Sequence, residues 1–143
     1  MTNELETFPE ELILASKSPR RIEILRNHGI KAIVMPTRTI ETLPDGIEAR
    51  DAVMYLALKK GMTCMNDLLA QGSVPSSCLI LAADTVVYKG EILGKPKDRD
   101  DAIRMLRLIR NTSHFVATGC ALLNPNSLEK RVFCDVTEVF TKD

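Results

Sequence analysis

The sequence predicts a mixed-sheet α/β fold, and three observations predict it. Short apolar runs of β type alternate with stretches of three-to-four residue periodicity. One run, CLILAA, is apolar throughout, as a strand covered on both faces must be. The chain closes on a hairpin pattern, and no repeat or low-complexity segment interrupts the order. With 143 residues and 45% hydrophobic side chains, a single domain over residues 1–143 with its own core is expected.

The elements follow in order. Residues 12–15, LILA, read as a strand that breaks at Ser16, and a helix restarts at Pro19, whose fixed φ suits a first helical turn. That helix, 19–27, carries Ile22 and Leu25 on one stripe and stops near Gly29, a residue suited to a left-handed cap. Residues 31–35 form a second short strand. The passage 36–46, PTRTIETLPDG, has two prolines and no sustained period, so it is a loop, with Glu41 near its middle. The next helix spans about 48–69, and Ala49, Val53, Ala57, Cys64 and Leu68 mark its buried face. Lys60 falls on the same stripe. Either its stem packs while its ammonium reaches water, or it serves a site.

After the loop QGSVPSSC, the CLILAA strand (78–83) ends in Asp84-Thr85, and Val86, Val87 and Tyr88 continue as β-type sequence. An acid at the end of a buried strand projects into the crevice where open α/β sheets bind ligands, or it caps a following helix. Lys89-Gly90 reads as a hairpin turn and Gly94-Lys95-Pro96 as a second bend. Asp98, with Asp101 at the capping-box distance, starts a third helix whose buried stripe is Ala102, Ile103, Leu106 and Ile109. Its solvated side is Arg99, Arg104, Arg107 and Arg110. Strands over 114–123 and 131–140, joined by the turn-rich NPNSLEK, complete the hairpin.

Composition excludes several classes. Nineteen basic and nineteen acidic residues cancel, so no overall field draws the chain to nucleic acid or anionic lipid, and any attraction for phosphate is local. The absence of tryptophan and a 4% aromatic content remove a base-stacking platform. The first residues are acidic, unlike a signal peptide, and the longest apolar run is far too short to span a bilayer, so no membrane partner and a cytoplasmic location are expected. Cys64, Cys78, Cys120 and Cys134 are widely spaced within apolar segments and read as reduced packing residues. His28 and His114 match no zinc-binding spacing.

Among possible chemical motifs, GEILGKP is not a Walker A loop. It has three residues between its glycines where that loop has four, and a proline follows its lysine. There is no G-x-S-x-G elbow and no G-x-G-x-x-G. The SKSPRR turn is stronger: Ser16 and Ser18 offer hydroxyls, Arg20 can grip phosphate bidentately, and a helix start adds positive potential at the same spot. A capped helix with surface arginines is the plainer account of that turn alone. Together with Asp84, Lys60, Lys95 and Glu41, it supplies the parts of one pocket, with cations for a polyphosphate and acids for a divalent ion and an activated water.

The runs LILASKSPRRIEIL, LALKK, LILAADTVV, GEILGKPKDRDDAIRMLRLI and TGCALL resemble, in order and spacing, the Maf family of nucleoside triphosphate pyrophosphatases. The resemblance implies an elongated, two-lobed α/β fold similar to the inosine triphosphate pyrophosphatases, with a nucleotide cleft, a divalent cation such as Mg²⁺ or Mn²⁺, and a homodimer. It implies that Asp84 is the general base and that Ser16, Arg20, Arg21, Lys60, Thr85 and Lys95 bind substrate. Arg20 and Thr85 correspond to positions that separate nucleotide preferences, and here they resemble the branch acting on dTTP and UTP. Glu41, with Asp84, corresponds to the acids that hold the metal. Members of that family usually continue past the point where this chain ends, through a segment that contacts the base and completes the second lobe. The expected reaction is hydrolysis between the α and β phosphates. The alternative is a non-catalytic nucleotide-binding or regulatory module, linked by analogy to septum formation, and a transferase using the same cleft is a third reading.

Overall fold

The computed structural model describes residues 11–39, 42–72 and 74–142, so Glu41 lies outside the described residues. Its elements are β1 (Glu11–Leu14), α1 (Pro19–Asn27), β2 (Ala32–Val34), α2 (Ala49–Gln71), β3 (Cys78–Tyr88), β4 (Ile92–Leu93), α3 (Arg99–Ile109), β5 (Thr112–Leu123) and β6 (Lys130–Thr141). They form one mixed sheet in the order β2-β1-β3-β5-β6, with β4 pairing β3, as the alternation of patterns predicts. Both β2 and β3 lie parallel to β1, whereas β5 and β4 run antiparallel to β3 and β6 runs antiparallel to β5.

That order fixes where the helices go. The chain leaves β1 for β2 on one side, then returns across β1 to β3 on the other. With right-handed crossovers, α1 and α2 therefore lie on opposite faces of the sheet. The main core sits under α2. Ala57, Cys64, Met65 and Leu68 pack against Ile13, Ala15, Ile80, Ala82, Ala121 and Leu123, all nearly inaccessible to solvent. The strand expected over 78–83 continues unbroken to Tyr88, so CLILAADTVVY is a single central strand.

Local chemistry sets the helix ends. The Ser18 side chain accepts from the Arg21 backbone N–H, Pro19 occupies the first turn, and Gly29 beyond the end of α1 adopts φ of 73°. In α3, Asp98 caps in the same manner by accepting from the Asp101 N–H at 2.8 Å. The apolar stripe expected to bury α3 is not buried: no residue of this helix is, and Leu106 is 63% exposed. Among the described residues the helix touches little beyond the start of β5, so its apolar side has no sheet beneath it. Burial pushes the thiol of Cys64 up to about 11, and those of Cys78 and Cys120 upward too, as befits neutral packing residues. All four cysteines are free thiols. No helix among the described residues is long and apolar enough to cross a membrane.

Candidate active site

The site opens where the sheet does. Pairing of β1 with β3 ends at Leu14 and Leu81, followed by one bond from the Ala15 N–H to the Leu81 carbonyl at 2.9 Å. Pairing of β4 with β3 starts only at Val87. Between these points β3 has no strand neighbour on that side among the described residues, and the gap lies beyond the carboxyl end of parallel strand β1, where open α/β sheets bind ligands.

A cavity of about 700 Å³ occupies this gap. The β1–α1 turn contributes Ser16, Lys17, Ser18 and Arg21; the loop after β2 contributes Thr37, Arg38 and Thr39; α2 contributes Lys60, β3 Asp84, and the loop after β4 Lys95. Among the described residues, five cations thus face one carboxylate, a balance that suits a polyanion. The turn is shaped by its own serines. Buried Ser16 accepts through Oγ from the Ser18 N–H at 3.0 Å, which leaves its hydroxyl proton to donate outward.

At the centre, Lys60 Nζ donates to Asp84 Oδ1 at 2.6 Å, with the side chains only 17% and 14% exposed. The lysine that interrupts the apolar stripe of α2 therefore does not snorkel to bulk water but meets the acid at the gap. Its approach depends on how closely α2 lies on the sheet. Asp84 is opposite Gly119 on β5, and a Cβ added at Gly119 would stand 2.4 Å from the Val53 carbonyl carbon and oxygen. Only glycine admits the helix backbone there.

The sequence candidates divide by geometry. Ser16, Arg21, Lys60, Asp84 and Lys95 line one cavity. Arg20 is exposed and does not line it, because successive helical residues point about 100° apart and Arg21 takes the inward direction. Thr85 follows Asp84 in the strand and so faces the other side of the sheet, the α1 side. There Arg21 Nη2 donates to Thr85 Oγ1 at 3.1 Å, linking the two faces. Lys17, Thr37, Arg38 and Thr39 are lining residues that sequence reasoning did not single out; Lys17 inside SKSPRR and the arginine between two threonines in PTRTI were the available signals. No group of three or more His, Cys, Asp or Glu that could hold a metal ion occurs among the described residues.

A second cavity of about 700 Å³ lies on the α2 face farther along the sheet, where Tyr88, Phe115 and Val136 meet the loop before α2. Its walls hold no counterpart of the Lys60–Asp84 pair.

The chain is 35% identical over 133 residues to a dTTP/UTP pyrophosphatase of Acetivibrio thermocellus, covering 93% of this chain and 66% of that protein. It is 40% identical over 116 residues to one of Caldicellulosiruptor bescii, covering 80% and 57% respectively. The chain thus spans between about half and two thirds of the length of the curated relatives it matches. In fold it is similar to the Staphylococcus aureus Ham1 protein, with a TM-score of 0.56 at 13% identity, covering 90% of this chain and 70% of that one. Residues 11–143 match the family model described as Maf-like protein, and the chain accordingly belongs to the Maf-like family.

Proposed function

We propose that this chain carries the polyphosphate-binding and catalytic part of a nucleoside triphosphate pyrophosphatase that acts on dTTP or UTP. The observation that carries the reading is the cavity in the sheet gap, where, among the described residues, five cations line the same space as the carboxylate of Asp84. Relatives at 35% and 40% identity named dTTP/UTP pyrophosphatase support the nucleotide class.

In this reading a water oxygen attacks the α-phosphorus and the bond from that phosphorus to the α–β bridging oxygen breaks. Pyrophosphate leaves with the bonding electrons, and Asp84 takes the proton of the water. Lys60 engages Oδ1 of Asp84, which orients the carboxylate to act through its other oxygen. Ser16, Arg21, Lys60 and Lys95 offset charge on the triphosphate and on the leaving group. Arg20, exposed at the rim, would meet the nucleotide only beyond the cavity wall. Asp84 suits Mg²⁺ or Mn²⁺, which commonly bind through one or two carboxylates plus substrate phosphates, and Glu41 would supply a second. Such an ion would neutralise phosphate charge when bound. A cytoplasmic homodimer belongs to the same reading, and the four free thiols are in keeping with a reducing compartment.

The test is pyrophosphate release from a panel of nucleoside triphosphates with Mg²⁺ or Mn²⁺. Turnover favouring dTTP and UTP is expected, and Asp84→Asn should lower kcat by about a hundredfold or more with the circular dichroism spectrum unchanged. Nucleotide binding without turnover would replace this reading with a non-catalytic binding module. Asp84→Asn turning over like the parent protein would remove Asp84 as the base.

A further inference from the structure

The face of the sheet opposite Asp84 carries an arrangement that the reaction above does not use. Thr85 on β3 and Thr118 on β5 are register partners, and their hydroxyl oxygens stand 3.1 Å apart. Thr85 Oγ1 also accepts from Arg21 Nη2 at 3.1 Å. Arg21, however, lines the cavity on the other side of the gap. Its guanidinium is also near enough to Cys120, two residues along β5 on the same face as Thr118, to pull that thiol's pKa against the upward push of burial.

These bonds form a row from the cavity to the sheet: guanidinium, Thr85 hydroxyl, Thr118 hydroxyl. A threonine in a strand has few χ1 wells, and only one that presents Oγ1 to both neighbours satisfies this geometry. Thr118, on a strand paired with β3 from Phe115 to Leu123 and with β6 from Thr112 to Leu123, is the fixed end of the row. Arg21 is the mobile end. Its side chain has several rotatable bonds to immobilise before it can hold an anion, and spending one of five N–H donors on Thr85 removes much of that freedom while leaving the others to bind.

We propose that Thr118 is a positioning residue: acting through Thr85, it holds the Arg21 guanidinium at the cavity in the orientation that grips a phosphate oxygen. This rests on the reading of the cavity as a polyphosphate site. It assigns Thr85 a role of holding Arg21 and gives a function to a threonine that never reaches the cavity.

The experiment measures inorganic tripolyphosphate affinity by calorimetry for the parent protein, Thr118→Val, Thr118→Ser, Arg21→Met and the double variant Arg21→Met/Thr118→Val. Thr118→Val, which keeps the shape and removes the hydroxyl, should weaken binding roughly fivefold, the size of one hydrogen bond. Thr118→Ser should restore it. In the Arg21→Met background the valine should have no further effect, whereas a purely structural role would weaken binding by the same factor in both backgrounds. Unchanged affinity in Thr118→Val, or losses that multiply, overturns the proposal. A second readout needs no ligand: the Arg21 Nε–Hε resonance of the free protein should exchange slowly in the parent and in Thr118→Ser and faster in Thr118→Val. If the parent binds no tripolyphosphate, the functional reading fails, and this resonance alone decides whether Thr118 positions Arg21. An identical resonance in all three proteins overturns the proposal.

Discussion

The half of the molecule under α2 and the half built on β4, α3 and the far ends of β5 and β6 use similar sequence patterns to different ends. In the first half, the apolar stripe of α2 is buried, with Ala57 and Cys64 fully inaccessible. In the second, α3 repeats an apolar stripe at the same spacing, yet Ile103 is 36% and Leu106 63% exposed. What holds α3 is local and polar. Asp98 caps it, Asp101 accepts from the Lys97 N–H at 3.0 Å, and Arg104 bridges Asp101 at 3.0 Å and Glu91 at 2.7 Å. Ion pairs of this kind at the surface contribute little. The first half is thus stabilised by packing and α3 by caps and charges. The site sits in the packed half, where Lys60 and Asp84 can be held within a fixed frame.

The sharpest way to break that contrast is Gly119→Ala. A methyl there would meet the backbone of Val53 and Met54 at 2.4 to 2.7 Å, and backbone cannot rotate away as a side-chain tip can. We expect a loss of about 3 kcal/mol or more, read from urea denaturation, with Lys60 withdrawn from Asp84 as α2 lifts. Gly94, with open space around it, is the control in the other half, and Gly94→Ala should leave stability close to that of the parent. Equal effects of the two changes would show that the packing of α2 against β5 is not what holds the first half.

A matched pair of truncations sharpens the same point. Leu68→Ala removes a side chain that is 5% exposed and belongs to the main core, and it should cost about 2–5 kcal/mol. Leu106→Ala removes the same atoms from the 63% exposed face of α3, and it should change stability by less than about 0.5 kcal/mol. Chemical denaturation of the two variants compares them directly. A Leu106→Ala cost near that of Leu68→Ala would mean that the apolar side of α3 is covered in solution.

The contrast also explains what the sequence could disclose. Helix ends and the β1–α1 turn were readable because Ser18, Pro19, Gly29 and Asp98 act on their immediate neighbours. Lys60 was readable as an anomaly because a charge on an apolar stripe needs a partner, and that partner is Asp84. The choice between Arg20 and Arg21 was not readable. It depends on the rotational phase of α1, which the half-buried Ile22 and Leu25 set, whereas residue type alone makes the two arginines equivalent. The same holds for α3: periodicity tells which face could be buried, whereas the presence of something to bury it against is a long-range fact. Thr85 falling on the face opposite Asp84 follows from strand alternation once β3 is known to run unbroken through both. The two-residue strand β4 lies below the length at which any pattern can be recognised.

The smallest effect lies in pH dependence, and the two halves should differ in its direction. In the packed half, burial raises the Cys64 thiol from 9.0 to about 11, so the folded state holds this proton more tightly than the unfolded chain. That contribution is fully present below pH 9 and is lost as pH rises from 9 towards 11. In the other half, the Lys97 N–H and the Arg104 guanidinium hold the Asp101 carboxyl below its ordinary value. Its contribution is present above the ordinary carboxylate range and is lost as pH falls through the lowered value. Acid titration followed by amide exchange should therefore loosen the first turn of α3 while α2 stays protected. Alkaline titration should weaken global stability in the parent more than in Cys64→Ala, because alanine has no proton to lose. Protection lost equally from α2 and α3 on acidification would mean that the two halves unfold as one unit, and the division between packing and polar contacts would then carry no consequence for how the molecule opens.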